Sequence, residues 1–153
     1  MSGNGLKYAF VVDEEPHFSE TVARALRLVG FEVTQCYDAT GAWATMLFDR
    51  DKTSRSLLFI DMALEAGIDT DAFSPSTTDN YMTTGLALAN LVVREGLIDA
   101  EHRSNMILYS AHQKGQNWGK IRRFCELNGS RSWQKSVDAD LLEIIALANG
   151  YVE

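Results

Sequence analysis

Short apolar runs and longer amphipathic stretches alternate along this chain. Residues 8–12 (YAFVV), 57–60 (LLFI, leading into Asp61) and 105–109 (NMILY, leading into Ser110) are nearly unbroken apolar runs. Runs of this length predict strands buried on both faces, as in a parallel sheet. Residues 31–37 alternate and are rich in β-formers, which predicts a strand at a sheet edge, and residues 130–134 predict a short last strand. Between these runs the period changes. Pro16 suits a first helical turn, Phe18, Val22, Ala25, Leu26 and Val29 recur at helical spacing, and Gly30 suits the close. Asp38 predicts the N-cap of a short helix with Trp43, Met46 and Leu47. Residues 85–96 predict a helix with Leu88, Leu91 and Val92 on one face. Trp118, Ile121 and Cys125 mark another, with Arg122 and Arg123 on its far side. The last helix is predicted to start at Asp138 or Asp140, with Leu141, Ile145 and Ala148 facing inward.

Strand followed by helix, five times over, predicts one α/β domain over residues 1–153. Its expected architecture is a doubly wound, flavodoxin-like parallel sheet of order 2-1-3-4-5 with helices on both faces. Residues 49–56 read as a polar loop, and residues 1–5 as flexible. Residues 66–84, rich in Ser, Thr and Asp and carrying Pro75, read as a long inserted loop, which in a compact domain is either functional or disordered.

Composition narrows the functional classes. The formal net charge of -7 argues against general affinity for nucleic acid or anionic lipid. No apolar run approaches the length needed to span a bilayer, and no export signal is visible at the start, so a cytoplasmic protein is expected. Cys36 and Cys125 fit neither a metal spacing nor a disulfide framework and are expected to be reduced core residues. Asp69, Asp71 and Asp79 miss the EF-hand spacing and are expected to form solvated surface.

Four strands end in polar groups: Asp13-Glu14, Asp61, Ser110 and Lys135. In the expected sheet, strands 1, 3 and 4 lie side by side at the centre. Their carboxyl ends, where open α/β sheets bind ligands, would gather three carboxylates. Such a cluster repels itself unless a cation compensates it, and hard oxygen donors suit Mg2+. A carboxylate beside Mg2+, an ammonium and a hydroxyl can carry out phosphoryl transfer. Asp61 would attack phosphorus, Mg2+ and Lys135 would neutralise the phosphoryl oxygens, and Ser110 would donate to one of them.

These residues resemble the receiver domain of two-component response regulators, and the resemblance covers nearly the whole chain. That family carries an acidic pair after strand 1, the phosphoacceptor aspartate after strand 3, Ser or Thr, often followed by Ala, after strand 4, and Lys after strand 5. The corresponding positions here are Asp13 and Glu14, Asp61, Ser110-Ala111 and Lys135, with Thr84-Gly85 where the family often has Asp-Gly. The resemblance implies Mg2+ on Asp13 or Glu14, Asp61 and the backbone carbonyl of Ala63. It implies a histidine kinase or histidine phosphotransfer protein as donor. It also implies a downstream effector protein as reader, at the face formed by the helix around Ile121, the last strand and the last helix. No effector segment is expected after the last helix, and a single-domain regulator without turnover of an external substrate is expected.

The chain departs from the family's pattern in four places. Ser136 follows Lys135 where a proline is usual, Ser132 stands where the switch aromatic is usual with Trp133 one place later, Glu65 replaces a proline, and the loop after Asp61 is longer. His112, two residues after Ser110, could tune phosphoryl lifetime. Two readings compete with the phosphoacceptor. One is a phosphorylation-independent interaction module. The other is an aspartyl-phosphate phosphohydrolase, which typically needs a second acid where Ala63 stands.

Overall fold

Apolar runs that must be covered on both sides take the centre of the sheet. The computed structural model describes residues 6–69, 71–78, 83–110, 116–134 and 141–153. Among them, β1 (Lys7–Val12), β2 (Phe31–Cys36), β3 (Leu57–Asp61), β4 (Met106–Ser110) and β5 (Arg131–Gln134) form one sheet of order β2-β1-β3-β4-β5. Every neighbouring pair is parallel. The expected doubly wound architecture is therefore observed, with β2 at an edge. Every residue of β3 and β4 is buried, as unbroken apolar runs require.

Alternation along the strands divides the core in two. Phe10, Val12, Leu58, Ile60, Met106 and Leu108 face α2 (Ala39–Phe48), α4 (Thr84–Arg94) and α5 (Gln116–Asn128). Ala9, Val11, Leu57, Phe59, Ile107 and Tyr109 face α1 (Pro16–Leu28) and α6 (Leu141–Asn149). At the start of α1 the Glu15 carboxylate accepts from the backbone N–H groups of His17 and Phe18, and Pro16 supplies a fixed φ. Gly30 follows the helix at φ +98°, a conformation that a side chain would strain. Asp38 caps α2 through Gly41 N–H at 2.6 Å. Cys36 and Cys125 are buried and unbridged, and burial pushes both thiols up to about 11, which leaves them protonated and unreactive at neutral pH.

Three local expectations are corrected. The stretch 49–56 is not all loop, because Arg50–Ser54 forms the short helix α3. Asp49 caps it, and the buried Thr53 hydroxyl donates to the carbonyls of Met46 and Asp49. A 3-10 turn, Ala100–Asn105, precedes β4 and takes up Asn105. The inward face of α6 is Ile144 and Ala148, with Leu141 exposed and Ile145 only half-buried. Packing against α1 and Tyr151 sets that phase, since i, i+4 pairs share one face.

The described part of the inserted segment packs against the fold. Ala39 and Thr40 N–H donate to the carbonyls of Glu65 and Ala66, and the Thr40 hydroxyl accepts from Asp69 N–H. Phe73 is 0% exposed and belongs to the α2/α4 core. The described part of 66–84 is thus docked onto the fold. Asp69 is half-buried and caps a turn at Ala72, whereas Asp71 is exposed as expected. Asp79, Asp138, Asp140 and residues 1–5 lie outside the described residues.

Candidate functional site

Two buried carboxylates meet at the carboxyl edge of the sheet. Val12 pairs with Ile60 in register, so Asp13 and Asp61 leave adjacent strands at the same level, where neighbouring strands run about 5 Å apart. Asp13 is 0% exposed and Asp61 is 5% exposed. Asp13 N–H donates to the Cys36 carbonyl, which holds the end of β1 to β2. Glu14, the next residue, is exposed. Ala63 is half-buried in the turn after β3, and that turn is anchored by Met62 N–H donating to the Tyr109 carbonyl at 2.9 Å. Ser110, 6% exposed, ends β4 one residue beyond the Asp61–Tyr109 pair.

The expected site residues Asp13, Glu14, Asp61, Ala63 and Ser110 therefore gather at one sheet edge. Lys135, together with Ala111 and His112, lies outside the described residues. Gln134, which precedes Lys135, pairs with Ser110.

The start of α4 presses on the same edge. Gly85 N–H donates to the Met62 carbonyl at 2.9 Å, and a Cβ on Gly85 would stand 1.9 Å from the Asp61 carbonyl oxygen. Backbone occupies that space, so only glycine fits without displacing the end of β3. Gly85→Ala is expected to cost on the order of 1–3 kcal/mol through overpacking. It should also shift the Asp61 amide resonance, which thermal melting and NMR would read together.

Tyr109 belongs to the site although its sequence context reads as core. Its hydroxyl donates to Asp13 Oδ2 at 2.9 Å, and Glu15 N–H donates to Asp13 Oδ1 at 2.8 Å. The phenol packs with Phe18, Phe59 and Trp133, with ring centroids 5.4–6.3 Å apart. Burial, then the Asp13 and Asp61 charges, push its ionisation well above the ordinary phenol range, so it is a fixed donor at neutral pH. The available signal was a lone polar aromatic inside the apolar run NMILY, next to Ser110.

Trp133 is buried on the α1/α6 face, where its indole N–H donates to Glu143 of α6 at 3.3 Å. Ser132 is exposed on the opposite side and lines a shallow groove with Arg122 and Cys125 of α5. Displacing an aromatic by one position along a strand moves it to the other face.

A second group of potential metal ligands, Asp99, Glu101 and His102, has its ligand atoms within 4.8 Å of one another. It lies on the turn leading into β4, at the amino edge of the sheet, and is separate from the acidic pocket.

No protein-family model and no curated protein matches the chain. Solved structures do. A CheY-like response regulator receiver domain protein from Methanospirillum hungatei is 14% identical with a TM-score of 0.62, over 95% of this chain and 92% of that one. The receiver domain of NtrX from Brucella abortus is 22% identical with a TM-score of 0.60, over 92% and 94% of the two chains. A chain of the CheX–CheY–BeF3–Mg2+ complex from Borrelia burgdorferi is 12% identical with a TM-score of 0.62, over 96% and 90%. At these identities the likeness concerns the fold, and the chain has the receiver-domain fold. No helix among the described residues is long and apolar enough to cross a membrane.

Proposed function

We propose that this chain is the receiver of a two-component phosphorelay, accepting a phosphoryl group on Asp61 in the cytoplasm. The observation that carries this reading is the buried Asp61 carboxylate at the end of β3 beside the buried Asp13, in a receiver-domain fold. Two carboxylates on adjacent strand ends, with an exposed glutamate next to them, are a hard oxygen donor set, and that set fits Mg2+. Asp13 or Glu14, Asp61 and the Ala63 carbonyl would hold the ion. When bound, Mg2+ supplies positive charge to the phosphoryl oxygens.

The residues of this chain do the remaining work. An Asp61 carboxylate oxygen attacks the phosphorus of a phosphohistidine on a histidine kinase or histidine phosphotransfer protein. The N–P bond breaks, an O–P bond forms, and the imidazole nitrogen recovers its lone pair. Lys135 pairs with the transferred group, and the Ser110 hydroxyl donates to one of its oxygens, biasing the loops after β3 and β4 between two arrangements. A downstream effector protein reads that shift at the α5, β5 and α6 face. The chain is a phosphoacceptor, with no turnover of an external substrate.

The direct test is titration with Mg2+ and then beryllofluoride, followed by amide NMR. Resonances of the residues around Asp61 and Ser110 should move with Mg2+ and move again, to saturation, with beryllofluoride. A spectrum indifferent to both would overturn the assignment in favour of a phosphorylation-independent interaction module.

A further inference from the structure

The phosphorelay reading leaves one polar side chain of the pocket without a task. Tyr109 sits on β4, Asp13 leaves β1, and β3 lies between them. The phenol therefore spans the end of β3, at the level of its register partner Asp61, to reach Asp13 Oδ2. A hydroxyl is not needed for core packing here, since Phe18 and Phe59 meet the same cluster with plain rings.

We propose that Tyr109 is a positioning residue for the cation site, its hydroxyl clamping Asp13 Oδ2 while Glu15 N–H clamps Oδ1. This proposal rests on the phosphorelay reading and adds to it how the inner acid is held. A carboxylate held by a donor on each oxygen has its plane fixed at the sheet edge. Without the phenol, Asp13 Oδ2 loses this donor, and the carboxylate is held less firmly in the plane the ion needs. Tyr109 is also covalently joined to Ser110, and its carbonyl accepts from Met62 N–H, so the same residue ties the acid after β1 to the turns after β3 and β4.

The test is Mg2+ binding to the full chain by calorimetry, with wild type, Tyr109→Phe and Phe18→Leu. The phenylalanine keeps the ring and removes only the hydroxyl. Phe18→Leu perturbs the same aromatic cluster and leaves the hydroxyl in place. Tyr109→Phe is expected to weaken Mg2+ binding roughly 10- to 100-fold, the usual loss when the group orienting a metal ligand is removed. Phe18→Leu is expected to lower the melting temperature of the metal-free protein and leave Mg2+ affinity as in wild type. Unchanged affinity in Tyr109→Phe, or an equal loss in Phe18→Leu, would overturn the positioning role. A wild type that binds no Mg2+ at all would overturn the phosphorelay reading, and this proposal with it.

Discussion

Asp61→Asn is expected to reduce phosphoryl labelling by a small-molecule donor such as acetyl phosphate, with Mg2+ present, to background. An amide oxygen carries no formal charge and its nitrogen lone pair is delocalised, so the substituted side chain cannot form an acyl phosphate. The change is nearly isosteric, so far-ultraviolet circular dichroism should match wild type and loss of labelling should report chemistry. Intact mass after incubation with the donor is the measurement. If Asp61→Asn is labelled as fully as wild type, the acceptor is another residue. Asp13 and Glu14 share the edge, but neither stands at the end of the central strand with the Ser110 hydroxyl on the adjoining strand.

Phe73→Ala carries the largest expected effect on stability. Phe73 is fully buried, yet it comes from a segment whose composition reads as solvated loop. Its ring fills space in the core beneath α2 and α4, and truncation leaves a cavity the size of a phenyl group. Such a change costs about 3–5 kcal/mol, a large part of the roughly 5–15 kcal/mol available to a domain. For a chain of this size the melting temperature should fall by about 10 °C. Limited proteolysis should also move into residues 66–78, because the ring is what draws that segment inward. A loss below about 0.5 kcal/mol, within the range of surface substitutions, would show that the segment is not integral to the fold.

Stability and chemistry meet at Gly85 and Tyr109. Gly85 lets α4 approach the end of β3, and Tyr109 joins the aromatic core under α1 to the acid after β1. Both act through the geometry of Asp13 and Asp61. The aromatic cluster continues from Tyr109 to Trp133, whose indole N–H donates to Glu143 on α6.

The strands, which of them lie at the centre and their polar ends were legible in the chain because each rests on local pattern. An unbroken apolar run can only be satisfied by cover on both faces, and a charged residue can only follow it at the edge. Helix starts at Pro16 and Asp38 were legible for the same reason, since a cap works through residues two or three positions away. Asp13, Asp61 and Ser110 follow directly from the strand ends, because each closes an apolar run.

Tertiary structure alone decided the rest. Nothing local distinguishes Phe73 from an exposed loop aromatic, because its burial depends on α2 and α4, which come from distant parts of the chain. The phase of α6 was set by α1, which turned Ile144 inward and left Leu141 outside. Trp133 took the α1/α6 face because β5 had to pair in register with β4. Tyr109 reads as one more apolar-run residue until the sheet places β1 two strands away, within reach of its hydroxyl. Sequence determined which groups stand at the strand ends, through short-range pattern. Only folding decided which of them are held, and by what, since those contacts join residues as far apart as 13 and 109.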